Sequence, residues 1–133
     1  MASEPERYVV DSNVFFDLFR NETRVVNWFS SVRPSQINVS AIVHLEVLQS
    51  RMRPQAIEQY EYIAKDFKTL IPDGNVFAQA RRVLREWDHD KGKPDIPDIL
   101  IGTTARILGC PIVTSNKKDF ENIDGLEIIV PGE

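Results

Sequence analysis

Apolar positions along this chain follow two alternating rhythms. Residues 7–10 form a short β-rich run that ends at Asp11, after which Val14, Phe15, Leu18 and Phe19 recur at helical spacing. A helix over about 24–32 stops before Pro34, and residues 36–39 read as a second strand. Ser40 is placed to cap a helix over about 41–51, and Pro54 opens another that runs to about 67, at a position where the first turn tolerates proline. Residues 68–71 read as a third strand. After the Pro72-Asp73-Gly74 turn, Val76, Ala80, Val83, Leu84 and Trp87 mark an amphipathic helix whose other face carries Arg81, Arg82 and Arg85. A polar loop over 88–94, a helix over 97–108 and strands over 111–114 and 126–130 complete the series. Short strands alternating with helices predict a parallel sheet covered on both faces, with function sought beyond the carboxyl ends of its strands.

Composition narrows the class. At 133 residues the chain has the length of one domain with a self-sufficient core, and no internal repeat or linker divides it. The 42% apolar and 9% aromatic content argues against disorder. A formal charge of −4 argues against a simple electrostatic nucleic-acid binder, though not against an acidic site that reaches phosphates through metal ions. The lone Cys110 reads as a small core residue entering a strand and favours a reducing, cytoplasmic compartment. The start, Met1 to Glu6, has no basic-then-apolar leader pattern, and no run reaches the ~18 apolar residues of a membrane span.

The chemistry rests on acids. Asp11 ends the first predicted strand just before a helix, where helix N-cap and functional acid are both open readings. Glu46 falls on a helix so apolar (Ala41, Ile42, Val43, Leu45, Val47, Leu48) that the whole element is expected to be largely buried. A buried carboxylate requires a cation or hydrogen-bond donors; otherwise Glu46 reaches solvent at the helix edge or pairs with an arginine. Asp95 and Asp98 flank Ile96-Pro97 at a helix start, where a cap and a first-turn acid would explain both. Gly102, four residues on, leaves room for close approach on the same face. Asn116 and Asp119 follow the predicted buried strand at the spacing of a cap and its partner. Taken jointly, these clusters converge on one sheet edge. Converging carboxylates repel, so they imply strongly raised pKa values or a bound divalent cation, and all-oxygen ligands suit Mg²⁺ or Mn²⁺.

Other chemistries lack their residues. Gly92-Lys93 is followed by Pro94 without the upstream glycine of a phosphate loop, and there is no G-x-S-x-G elbow. His44, His89 and Cys110 are too few and scattered for structural zinc. Asp11-Ser12-Asn13 begins like an EF-hand loop, but Phe15 and Phe16 stand where a ligand and a glycine belong. Trp28 and Trp87 read as core or helix-edge aromatics.

Four blocks then resemble the PIN-domain ribonucleases, and among them the VapC-type toxins of toxin–antitoxin pairs. Val9-Val10-Asp11-Ser12-Asn13-Val14 is similar to the opening block, and Val39-Ser40-Ala41-Ile42 through Leu45-Glu46-Val47-Leu48 to the second. Residues 98–105 resemble the third and residues 112–120 the fourth, with 126–131 as closing strand. The resemblance implies a three-layer α/β/α sandwich with a mostly parallel central sheet, one nuclease domain over residues 1–133. It implies Mg²⁺- or Mn²⁺-dependent cleavage of RNA phosphodiesters, a homodimer and a cognate antitoxin. It carries Asp11, Glu46 and Asp98 into the acidic metal-site positions. Asn116 stands where many members have an acid, and Asp119 one turn on serves as substitute. Ser40 and Thr114 become supporting polar residues, and Gly102 in place of the common alanine eases packing.

The expectation is thus an endoribonuclease with Asp11 and Asp98 as main ligands, Glu46 binding metal or orienting the attacking water, and Asp119 or Asn116 completing the shell. Lys117 and Lys118 are placed to meet the RNA backbone. Two rivals stand beside it: an inactive module of the same fold that binds RNA or protein, and a haloacid dehalogenase-type phosphatase. The latter needs an acid where Asn13 stands.

Overall fold

The computed structural model describes residues 5–133; the start of the leader reading, up to Glu4, lies outside the described residues. The chain runs β1 (Tyr8–Val10), α1 (Ser12–Phe19), α2 (Thr23–Ser30), β2 (Ile37–Ser40), α3 (Ala41–Gln49), α4 (Pro54–Ala64), β3 (Lys68–Leu70), α5 (Gly74–Arg85), α6 (Ile96–Leu108), β4 (Ile112–Val113) and β5 (Ile128–Ile129). Single 3₁₀ turns stand at Pro34–Gln36, His89–Lys91 and Lys117–Asp119. Every expected strand and helix is present, and the ends differ by a few residues where the last turns fray.

The five strands form one sheet in the order β3-β2-β1-β4-β5, with every pairing parallel. The sheet is therefore wholly rather than mostly parallel. Central β1 carries three buried residues in a row, as a strand covered on both faces must. From β1 the chain steps outward to β2 and β3, then returns across β1 to β4 and β5. Right-handed crossovers consequently place α1 to α4 on one face and α5 and α6 on the other, which gives the three layers. On the first face, Phe15 is fully buried, with Tyr60, Phe29 and Phe67 ring centroids 5.0, 5.6 and 5.9 Å away. This anchor fixes α1 directly behind Asp11.

On the second face α6 is buried nearly all round, from Ile99 to Ala105. Gly102 has a specific role there. A Cβ at that position would lie 2.5 Å from Ile123 Cδ1 and 2.9 Å from Phe120 Cδ1, so the loop after β4 packs into the space the glycine leaves. Gly102 thus does more than ease packing, because its neighbours have grown into the gap. The helix ends at Gly109 in the left-handed region (φ 68°), where Cys110 N–H returns to Ala105 O and aims the chain into β4. Cys110 is buried, as expected.

One expectation fails. The apolar helix α3 is not largely buried: Val43 and Val47 are, but Leu45 is 66% and Leu48 43% exposed. Apolar composition reports what a helix is able to bury, whereas burial requires a neighbour on each face, and α3 packs chiefly on α1, β2 and α6. His44 fastens its inner side, bridging the Tyr60 hydroxyl on α4 and Thr69 Oγ1 on β3 (3.0 Å). Trp28 packs edge-on to Tyr8, and Trp87 Nε1 donates to Gly92 O, both structural tasks.

Candidate metal centre

The strand order reverses at β1, between β2 and β4, and the crevice beyond the carboxyl ends of such a pair is where open parallel sheets place ligands. Register sets what stands there. Val10 is level with Val113, so the next residues of both strands, Asp11 and Thr114, emerge side by side. Asp11 N–H donates to Val113 O at 2.9 Å. Its side chain, 2% exposed, accepts from Ser12 N–H at 2.8 Å and from the Thr114 hydroxyl at 3.1 Å. Asp11 is thus an N-cap and a site residue at once; the two readings do not compete.

α6 delivers the second acid. Asp95 caps it by accepting from Asp98 N–H at 3.0 Å, which leaves the Asp98 carboxylate free in the first turn. The turn Lys117–Asp119 delivers the third. One carboxylate oxygen from each of Asp11, Asp98 and Asp119 lies within 4.8 Å of the others. Glu46 stands outside this trio yet near enough for its charge to act on Asp11 and Asp98. One of its oxygens, Oε1, is buried without a hydrogen-bond partner.

The electrostatics are uncompensated. Burial raises the Asp11 carboxyl to about 7 against the pull of the Ser12 and Thr114 hydrogen bonds, and the charges of Glu46 and Asp119 add to the rise. Burial and then the charges of Asp11, Asp95, Asp119 and Glu46 bring Asp98 to about 8. Glu46 and Asp119 are also raised, chiefly by burial and then by Asp95, while Ser12 and Asn116 respectively oppose the rise. Among the described residues the one ion pair is Arg20 with Asp17, at 3.5 Å, so no lysine or arginine neutralises these carboxylates. An oxygen-only donor set, a buried orphan oxygen and raised pKa values fit a hard divalent cation.

Of the remaining predicted residues, Asn116 and Thr114 hydrogen-bond to members of the trio, whereas Ser40 serves as a helix cap. Asn116 Nδ2 donates to Asp119 Oδ1 at 3.0 Å, so it holds that acid in place. Ser40 is fully buried and caps α3 through Ile42 N–H at 3.2 Å. Thr114 is a hub: its hydroxyl also receives Asn116 N–H (3.1 Å) and Asn13 Nδ2 (3.2 Å). Lys117 and Lys118 are exposed in the turn that carries Asp119. Sequence reasoning missed the charge that Asp95 adds beyond its capping role, and the bracing of the β4 end by Asn13 Oδ1 on Ser115 N–H (3.0 Å) and Asp17 on the Ser115 hydroxyl (2.6 Å). Asp17, one turn and a half beyond Asp11 on α1, was the available signal.

A parallel α/β sheet whose switch point gathers carboxylates defines the class of protein. Within that class the chain belongs to the PIN domain family, whose profile it matches over residues 8–126. It is 28% identical to the ribonuclease VapC of Rickettsia bellii over 127 residues, covering 91% of this chain and 93% of that protein. Its fold is similar to FitAcB from Neisseria gonorrhoeae (TM-score 0.78, 22% identity, 93% of this chain and 97% of that one). A toxin–antitoxin complex from Klebsiella pneumoniae is similar too (TM-score 0.76, 21% identity, 95% and 98%).

Proposed function

We propose that this chain is an endoribonuclease that requires Mg²⁺ or Mn²⁺ and acts as the toxin of a VapBC-type toxin–antitoxin pair in the cytoplasm. The observation that carries the reading is the trio of Asp11, Asp98 and Asp119 within 4.8 Å, with no basic residue among the described ones to offset it. These three would hold the cation. When bound, such an ion lowers the pKa of water and offsets charge on a phosphoryl group. Glu46, with its unpartnered buried oxygen, is suited to orient the attacking water and accept its proton. Ser12 N–H and Thr114 fix the orientation of Asp11, and Asn116 fixes that of Asp119. Lys117 and Lys118 face the backbone of an incoming RNA. Within residues 1–133, read as one nuclease domain, no helix among the described residues is long and apolar enough to cross a membrane.

The name of the Rickettsia relative supports RNA as substrate, and the Klebsiella complex supports an antitoxin partner. An apolar cleft of about 640 Å³, lined by Leu18, Phe19, Val26, Tyr62 and Ile63 among others, offers such a partner a seat between α1, α2 and α4. The exposed Leu45, Leu48 and Ile96 support a homodimer that covers them. The phosphatase alternative is disfavoured because Asn13 is engaged at both ends, on Thr114 and Ser115, and its amide has no titratable proton to give. Asp11→Asn tests the proposal: it should abolish metal-stimulated RNA cleavage while the fold persists, and retained cleavage would refute the assignment. Failure of the unmodified protein to bind Mn²⁺ in calorimetry at millimolar concentration would favour the inactive binding module.

A further inference from the structure

The arginine face of α5 takes no part in the site described above. Asp73 caps this helix through Val76 N–H, and Val76, Ala80 and Val83 turn inward, so the opposite face points to solvent. Phe77, Arg81 and Arg85 stand four residues apart on it, one stripe about 12 Å long, with Arg82 beside them. No acid lies within the helix, and none of the three arginines has a carboxylate partner among the described residues. In a chain of net charge −4, this is a local field of the opposite sign. Phe77 is 51% exposed, an aromatic ring left in water among guanidinium groups.

We propose that the outer face of α5 is a second contact surface for single-stranded RNA, with Arg81, Arg82 and Arg85 on successive phosphates and Phe77 under a base. The proposal rests on the RNA reading above and extends it away from the acidic site. Cationic side chains that track a backbone, combined with an exposed ring, are what sequence-tolerant single-strand binding uses, since every base has a face to stack. Charge complementarity selects the occupant, because a polyanion satisfies all three arginines at once. Through Arg82 the surface also reaches the loop that follows Asp119. Arg82 lines a cleft of about 400 Å³ with Arg106 and Asn122. Asn122 is tied to Asp88 by two hydrogen bonds of 3.0 and 3.1 Å and lies three residues past Asp119. Glu86 and Asp124 also line that cleft, so the bound phosphates belong on the stripe and not inside it.

The test uses the full chain and an unstructured 20-nucleotide oligoribonucleotide, with binding followed by fluorescence anisotropy in an Asp98→Asn background. Replacing Arg81, Arg82 and Arg85 together by Gln should lower the slope of log affinity against log salt by about 2, since each single-strand phosphate contact contributes ~0.7. Phe77→Ala should weaken binding about tenfold. With Asp98 restored, the triple variant should show a raised KM on long RNA and an unchanged kcat. Unaltered slope and KM, in a protein that still binds and cuts RNA, would overturn the proposal alone. Absence of RNA binding and cleavage in the unmodified protein would overturn the RNA reading beneath it. A change from dimer to monomer in sedimentation on substituting the stripe would assign the face to a second copy of the chain, and would likewise overturn it.

Discussion

Removing the negative charge of Asp11 should stabilise the metal-free protein, and should do so only where the carboxyl is asked to ionise. The group is buried, and its folded-state pKa is raised from an ordinary 3.8 to about 7. Below pH 4 the folded and unfolded chains both hold the proton, and no penalty arises. Between pH 4 and 7 the unfolded chain has released it and the folded chain has not, so stability falls as pH rises. Above pH 7 the full penalty applies, roughly three pKa units or about 4 kcal/mol. Between pH 5 and pH 8 the loss from Asp11 is about 3 kcal/mol by the same relation. Asp11→Asn retains an acceptor for Ser12 N–H and turns its amide toward Thr114, a change independent of pH. Chemical denaturation with chelator present, at pH 5 and pH 8, isolates the effect: the variant should gain about 3 kcal/mol on the unmodified protein between the two pH values. Parallel stability curves would refute the premise that the carboxylate is buried without compensation. Saturating Mn²⁺ should restore more stability to the unmodified protein at pH 8 than at pH 5, on the order of 2.7 kcal/mol at one hundred times its dissociation constant.

Asp98→Asn should remove measurable Mn²⁺ binding in calorimetry, whereas Glu46→Gln, outside the trio, should retain that binding and lower RNA cleavage by about 10²- to 10⁴-fold. Gly102→Ala should destabilise the fold by about 1–2 kcal/mol in urea, because the crowding of Ile123 and Phe120 exceeds the gain in helix propensity. Stability equal to the unmodified protein would mean that the loop after β4 yields freely. Thr114→Val should cost about 1–3 kcal/mol and weaken Mn²⁺ binding, since Asp11, Asn13 and Asn116 all lose the hydroxyl they share. Unchanged affinity with a lowered midpoint would leave Thr114 a purely structural residue.

Local rules made much of this legible. The caps at Ser40 and Asp95 and the proline at the start of α4 involve residues within one turn of each other, so their chemistry is written in adjacent letters. The buried run of β1 and the amphipathic stripe of α5 are equally local, which is why the alternation of strand and helix, and with it the parallel sheet, followed from periodicity. The exposure of α3 did not. A helical wheel treats Leu45 and Val47 alike, and only the neighbours that pack against α3 decide that one is covered and the other left in water.

The acids show the same division. Their identities, and their positions after strands or at helix starts, are fixed by the chain itself. That Asp119 meets Asp11 and Asp98 is not, because the direction of a side chain in a 3₁₀ turn follows the orientation of the turn, which no local pattern fixes. Likewise the meeting of Asp11 with Thr114, 103 positions apart, depends on β4 pairing beside β1 in one register. Sequence determined which groups carry charge and which backbone each sits on; tertiary structure alone decided which of them share a pocket, because strand pairing and core packing act between segments that no local pattern relates.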